Sequence, residues 1–296
     1  MANPGAAHPV GEVLADPLDL LYEEPGLASR DLPELLGQAY GGGLGLRSPC
    51  LYANFVASLD GVAALGPEGL SSGSAISGRE PADRFVMGLL RAFADAVLIG
   101  AGTLRATPGH YWTADHVYPA AVRAFADLRL SLSRAAAPEL VVVTASGDIP
   151  PEHPALRRGA LVVTTEPGAQ RLAGLLPASC TVLGFGEGPW LPMTDVLVAL
   201  SARGHKAVLT EGGPRLLGQL VRESLLGELF LTVSPVLAGR DGTARAGLIT
   251  GLELLPDRPV WADLVSVRRR GPYLFMRYRF LREALSRPTG LGGATG

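Results

Sequence analysis

Ala207-Val208-Leu209-Thr210-Glu211-Gly212-Gly213-Pro214 decides how the fold is read. Four uncharged residues form a strand apolar on consecutive positions, as in a sheet covered on both faces. Two glycines then turn the chain, and Pro214 opens a helix over 215–222. Proline suits that place because its ring presets the helical φ and its missing N–H would have had no intrahelical partner. A buried strand running straight into a helix is half of a parallel crossover unit. The same order recurs in Ala96-Val97-Leu98-Ile99-Gly100-Ala101-Gly102-Thr103.

Further short apolar runs stand at 140–143, 161–164 and 181–183, with helical stretches at 170–176 and 194–203. Upstream, 51–57 reads as a strand and 78–94 as a helix. That helix is started by the capping box Ser77-Gly78-Arg79-Glu80, and Phe85, Val86, Leu89, Leu90 and Phe93 lie on one arc. Downstream, 229–237 reads as a strand, and 264–270 with 273–280 as an antiparallel hairpin turning at Gly271-Pro272. The expected architecture is one mixed α/β domain over 48–284, with a mostly parallel central sheet flanked by helices and a C-terminal antiparallel hairpin. Residues 1–47 are expected to be a partly flexible N-terminal extension, with the glycine run at 41–45 as a joint. Residues 285–296 are expected to be a disordered tail.

Composition narrows the function classes. Of 296 residues, 47% are apolar and 18% charged, which supplies a large core and argues against intrinsic disorder. Lys and Arg number 26 against 28 Asp and Glu, a net charge of −2, so nothing favours a long phosphate backbone. Lys206 is the only lysine, which confines Schiff-base chemistry to that residue. Cys50 and Cys180 belong to no Cys-x-x-Cys pair, so a reducing cytoplasm fits better than a disulfide framework. The histidines (His8, His110, His116, His153, His205) make no metal-type pairing with acids, and no metal is expected. No secretory signal opens the sequence, and no apolar run approaches the ~18–20 residues that span a bilayer.

The two glycine turns are the first candidate site. Gly100-Ala101-Gly102-Thr103 lets a backbone approach a phosphate and offers a hydroxyl. A tight turn reads equally well, since the dinucleotide-binding pattern needs Gly where Arg105 stands. At the second turn, the N–H groups of Gly213, Arg215 and Leu216 form the positive end of a helix, a place for an anion. A plain turn explains those glycines but not Glu211, a carboxylate ending a buried strand, where charge is costly without a partner or ligand. Along Asn54-Phe55-Val56-Ala57-Ser58-Leu59-Asp60-Gly61, a period of two puts Asn54, Val56 and Ser58 on one face, with Asp60 at the turn. Asp-Gly is equally an ordinary turn pair. Arg84, Gly88 and Arg91 lie opposite the apolar arc and read as a solvated helix face. Arg268-Arg269-Arg270 reads as a charge-guarded strand edge; His110 beside Tyr111 and Trp112 reads as surface loop, with the border of a pocket as the alternative. Gly69-Leu70-Ser71-Ser72-Gly73 matches Gly-x-Ser-x-Gly without the flanking strand and helix of a nucleophile elbow.

Together, Asn54…Ser58-Leu59-Asp60-Gly61, Ile76-Ser77 with Asp83-Arg84-Phe85 and Arg91, the 94–103 run, 209–214 and Leu229…Pro235 occur in an order that resembles the pyrimidine reductase family of riboflavin biosynthesis. The resemblance covers 50–281. It implies a dihydrofolate-reductase-like fold and NADPH-dependent reduction of 5-amino-6-(5-phosphoribosylamino)uracil to the ribitylamino product. By position it puts Gly100, Gly102 and Thr103 against the cofactor, and Gly212, Gly213, Pro214, Arg215, Leu216 and Leu217 at its pyrophosphate. Thr144 and Ser146 fall near the adenosine ribose, and Arg105 at the 2′-phosphate. Asn54, Ser58 and Arg91 would face the substrate, with Asp60 as the catalytic acid and Glu211 orienting the uracil or ribose.

The chain also departs from the family. Asn54 stands where many bacterial members carry Lys, and 105–112 lacks the acidic pair and later Arg used around the substrate phosphate. No zinc deaminase motif occurs in the sequence, so deamination is not expected. Two rival readings keep the fold: a pterin or dihydrofolate reductase, and a catalytically inactive nucleotide-binding protein. The resemblance further implies a homodimer through the C-terminal strands, consistent with apolar 229–237. The partner is a small pyrimidine or pterin, not a nucleic acid or membrane.

Overall fold

A computed structural model describes residues 16–27, 32–66, 72–241 and 245–280. Its strands are β1 (Asp19–Glu23), β2 (Cys50–Ala57), β3 (Ala96–Gly100), β4 (Glu139–Val143), β5 (Leu161–Thr164), β6 (Thr181–Gly184), β7 (Ala207–Thr210), β8 (Glu228–Val233), β9 (Ala262–Arg270) and β10 (Tyr273–Phe280). They form one sheet in the order β1-β9-β10-β8-β2-β7-β3-β4-β5-β6. From β8 to β6 the pairings are parallel, and β1/β9, β9/β10 and β10/β8 are antiparallel. This is the mixed, mostly parallel sheet with a C-terminal hairpin expected from the sequence.

The helices are α1 (Glu34–Tyr40), α2 (Ser72–Ile76), α3 (Pro81–Phe93), α4 (Ala101–Ala106), α5 (Ala114–Val117), α6 (Val122–Ser131), α7 (Pro154–Arg157), α8 (Glu166–Leu172), α9 (Met193–Ala202) and α10 (Pro214–Arg222). They cover both faces. Val97, Ile99 and Leu209 pack with Phe85, Leu89 and Phe93 of α3, while Leu98, Val141, Val163 and Val208 pack with Val196, Leu200, Leu216 and Leu220. Alternate residues of each strand thus enter opposite layers, which is why the strands are apolar on consecutive positions. Among the described residues, no helix is long and apolar enough to cross a membrane.

Several local expectations change. The capping box does not form: Gly78 and Arg79 are left-handed (φ 62° and 60°), and α3 starts three residues later, with Glu80 accepting from the Ala82 N–H and Pro81 in the first turn. Helix α8 lies at 166–172 rather than 170–176, because the Thr165 hydroxyl caps it by accepting from the Gly168 N–H. The 229–237 strand ends at Val233, with Leu229 and Phe230 buried in the sheet and Val236 and Leu237 exposed beyond its end.

The solvated-face reading of α3 holds for Arg84 but fails for Gly88 and Arg91, because α5 and α6, which the sequence pattern left unassigned, pack over that side. A Cβ on Gly88 would lie 2.8 Å from the Phe125 ring. Buried Arg129 of α6 donates to the carbonyls of Arg91, Ala92 and Ala94 and so closes the C-terminal end of α3.

The arginine run is not an edge either. β1 is added outside β9, and buried Arg268 donates to Glu23, the Tyr40 carbonyl and Ser266. Arg269 pairs with Asp19 and Arg270 with Asp16. Leu18, Leu36, Leu44 and Leu46 are buried in the core, and Gly41 ends α1 in a left-handed cap. Arg277 donates to the carbonyls of Leu44 and Gly45, so the 41–45 segment is a fastened turn and not a free joint. Ser71 of the Gly-x-Ser-x-Gly stretch and the 285–296 tail lie outside the described residues.

Candidate active site

β7 and β3 are hydrogen-bonded neighbours in parallel register, with Leu98 opposite Thr210, so their glycine turns leave the sheet side by side. A Cβ on Gly213 would lie 3.6 Å from Thr103 Oγ1, and one on Gly100 would lie 3.9 Å from the Leu216 side chain. Over these turns opens a cavity of about 1070 Å³, walled by the carboxyl ends of β2, β7, β3 and β4 and by α3 and α10. Ligands of open parallel sheets bind at this end of the strands.

Of the residues singled out from sequence, Asn54, Arg91, Gly100, Gly102, Thr103, Arg105, Thr144, Ser146, Glu211, Gly212, Gly213, Pro214, Arg215 and Leu216 line this cavity. Three do not. Leu217 is buried in the core under the sheet. The period of two stops where β2 ends, so Ser58 turns away. Its hydroxyl donates to Asp60 Oδ1 at 2.6 Å and accepts from the Val62 N–H at 2.9 Å. Asp60 is exposed, and it also accepts from the N–H groups of Ala238 (3.0 Å) and Gly239 (2.7 Å). The Ser58 hydroxyl first, then these amides, pull its carboxyl down to about 2. Asp60 thus braces two loops outside the cavity.

Glu211 has the partner its position demanded. Arg91 Nε lies 3.0 and 3.1 Å from its two oxygens and Nη2 lies 2.6 Å from Oε2, in a two-pronged pair of which both side chains are buried. Arg91 Nη1 also donates to the carbonyls of Tyr111 and Thr113, both at 3.2 Å. One side chain of α3 thus ties the 110–113 loop to the end of β7. Arg91 Nη2 is 2.9 Å from His110 Nε2. A guanidinium can only donate, so Nε2 accepts and the proton of the neutral ring sits on Nδ1. Burial first, then the charge of Arg91, pushes His110 down to about 3.

Two residues in the wall carry signals that the local sequence pattern did not bring out. Asp83 is buried, and its carboxyl meets the hydroxyls of Thr232 and Ser77. Burial outweighs those hydrogen bonds and raises it to about 6. Asp83, Met87 and Arg91 all line the cavity and are spaced i, i+4, i+8 on α3, a pattern that could have marked a polar inner face. For His110 the local signal was only its aromatic neighbours Tyr111 and Trp112; what brings it in is Arg91, 19 positions upstream, itself fixed by Glu211 120 positions away.

The cavity suits a dinucleotide. α10 (N-cap Gly213) has no side chain capping it, and Gly213 and Arg215 line the wall with N–H groups that have no intrahelical partner, while the Leu216 N–H, expected to be free, donates to the Gly213 carbonyl at 3.0 Å. A Cβ at Gly102 would meet nothing within 4 Å, so the backbone there is open to close approach. Among the described residues, no group of three or more His, Cys, Asp or Glu could hold a metal ion.

Comparison with known proteins agrees with this geometry. The RibD C-terminal domain family matches residues 49–271. The chain belongs to that family. It is a family of riboflavin-pathway pyrimidine reductases, and this RibD-type chain carries the dihydrofolate-reductase-like fold that the resemblance implied. Among solved structures, a pyrimidine reductase-like protein from Corynebacterium diphtheriae is 24% identical, with a TM-score of 0.60 over 79% of this chain and 93% of that one. Acinetobacter baumannii RibD is 20% identical, with a TM-score of 0.59 over 83% of this chain and 60% of that longer one. The riboflavin biosynthesis reductase of Saccharomyces cerevisiae is 15% identical, with a TM-score of 0.52 over 79% of this chain and 90% of its own. No curated protein matches the RibD-type chain by sequence.

Proposed function

We propose that the chain reduces a phosphoribosylamino-pyrimidine, 5-amino-6-(5-phosphoribosylamino)uracil, with NADPH. The observation that carries this reading is the convergence of the 100–103 and 212–215 turns over one cavity that is also lined by Asp83 and the Arg91–Glu211 pair. The uncapped start of α10 would hold the pyrophosphate, and Thr144, Ser146 and Arg105 the adenosine end. The dinucleotide supplies a hydride to C1′ of the ring-opened ribosyl imine.

The protein's own groups do the rest. Asp83, raised to about 6, keeps a protonated fraction near neutral pH and takes the acid's role that the resemblance gave to Asp60, protonating the imine nitrogen. Glu211, fixed by Arg91, presents a carboxylate whose position does not wander and orients the pyrimidine's N–H groups. Asn54 of β2, in the same cavity wall, reads a carbonyl edge. The chain works as a cytoplasmic homodimer in this reading.

A buried carboxyl facing a fused pyrimidine serves a pterin or dihydrofolate equally, and Asp83 is the observation that favours that second reading. Absorbance at 340 nm with the uracil ribotide and dihydrofolate side by side separates them. Oxidation of NADPH with the ribotide supports the proposal, and turnover of dihydrofolate alone supports the second. Binding without oxidation of either would mark an inactive nucleotide-binding protein.

A further inference from the structure

Among the described residues, the acids lining the cavity are Asp83, Glu211 and Asp148. The first two stand at the substrate end and are held by hydroxyls and by Arg91. Asp148 stands apart, beyond β4 on the turn that the proposed function gives to the adenosine. That turn is stiff. Gly147 is left-handed (φ 71°) with its N–H on Thr144 Oγ1, and a Cβ there would lie 2.6 Å from the Gly168 carbonyl. Asp148 N–H donates to Ser146 Oγ, Thr165 donates to the Ala145 carbonyl and Arg171 to that of Ser146.

Arg105 of α4 reaches this turn through Nη1, which donates to the Asp148 carbonyl at 2.7 Å and lies 3.4 Å from Asp148 Oδ2. The two contacts differ in kind. The backbone carbonyl is part of the braced turn and fixes where the guanidinium sits. The carboxylate is 75% exposed and holds Arg105 only through a long, solvent-screened contact. A guanidinium has five N–H donors, so with Nη1 spent on the carbonyl its other edge is free for a two-pronged grip on a phosphate.

We propose that Asp148 sets the coenzyme preference of the cleft by competing with the adenosine 2′-phosphate for Arg105. This inference rests on the proposed dinucleotide site. A 2′-phosphate carries about −1.5 to −2 charges and must displace or repel the carboxylate to reach Arg105. A 2′-hydroxyl meets the opposite case, since the same carboxylate can accept its hydrogen bond. Arg105 therefore favours NADPH and Asp148 discounts that preference, leaving the chain tolerant of NADH. Arg171 and Arg215 are the other cations near this end, and neither touches the Asp148 carboxylate through any described ion pair.

The test measures dissociation constants of NADPH and NADH by protein fluorescence quenching at 50 mM salt, for the wild type, Asp148→Asn, Asp148→Ser and Arg105→Ala. Both Asp148 variants are expected to shift the affinity ratio toward NADPH by about three- to fivefold, the range of an exposed charge pair. Arg105→Ala should shift it toward NADH by about tenfold. The Asp148 effect should shrink at 500 mM salt, since the pair is exposed. Coenzyme binding with an unaltered ratio in the Asp148 variants, or equal losses for both coenzymes, overturns the inference and leaves the reductase reading intact. Failure of the wild type to bind either coenzyme overturns both.

Discussion

Replacing Arg91 with Met would open the most heavily bonded point of the site. Its guanidinium and the Glu211 carboxylate are 2% and 8% exposed, so the carboxylate left behind would be buried without its partner. Breaking a buried pair from one side costs ~3–5 kcal/mol. The carbonyls of Tyr111 and Thr113 also lose their donor, and each orphaned carbonyl adds about 1 kcal/mol unless the loop opens to water. The expected loss for Arg91→Met is ~5–7 kcal/mol, a large share of the ~5–15 kcal/mol that folded proteins possess. Glu211→Gln keeps an oxygen acceptor and should cost less, about 3 kcal/mol. In the double variant no buried charge remains, so the two losses should fall short of their sum by about 2–3 kcal/mol. Equilibrium unfolding in urea, with m-values compared across the four proteins, measures this coupling. Additivity within ~0.5 kcal/mol, or a loss of under ~1 kcal/mol for Arg91→Met, would show that the pair behaves like a surface contact and refute the reasoning.

Asp83 ionises near 6 when folded against an ordinary 3.8, so between those values the folded state keeps a proton that the unfolded chain has released. Stability should therefore fall by ~3 kcal/mol as pH rises from about 3 to about 7, most steeply between 4 and 6, and the slope should vanish in Asp83→Asn; pH-dependent urea midpoints check it. In the 340 nm assay the same variant should lose kcat by about 100-fold or more, and wild-type activity should decline as pH rises past about 6. His110 should hold its Nδ1–H tautomer from pH 5 to 8 in long-range proton–nitrogen spectra, because Arg91 occupies Nε2; a titration near 6.5 would contradict that bond. Gly88→Ala, placing a methyl 2.8 Å from the Phe125 ring, should destabilise by ~1–2 kcal/mol despite alanine's better helix propensity. Phe125→Leu should recover part of that loss, read from the same urea curves.

The parallel part of the sheet was legible because each strand carries its own signature. Runs such as Val97-Leu98-Ile99 and Val208-Leu209 are apolar on both faces, and a short run of that kind is at home only in a sheet covered on both sides. The glycine turns were legible as turns, and Glu211 as a charge needing a partner. What local pattern could not show was who the partner is. Arg91 looked solvated because α5 and α6, 23 or more positions downstream, are the elements that cover it. Arg268 looked like an edge for the same reason, since β1 supplies the missing neighbour from the other end of the chain. Asp60 lies outside the cavity through a fact of three-dimensional bonding: two amides of the 238–239 loop, 178 and 179 positions away, hold its carboxylate. Asp83, quoted only within the Asp83-Arg84-Phe85 match, has its signal in the i, i+4, i+8 row it shares with Met87 and Arg91.

The pairing of β1 with β9 has a consequence for synthesis. The first strand ends at Glu23 and its partner begins at Ala262, so roughly 240 residues separate them. At about 5–20 residues per second, a ribosome needs on the order of 12–50 s to make that stretch. Throughout that interval β1 has no strand to pair with, although α1 can already settle on α6. Nascent chains of this protein should therefore lean on a holding chaperone near their start, and codon choices that slow elongation in the middle should lengthen that exposure.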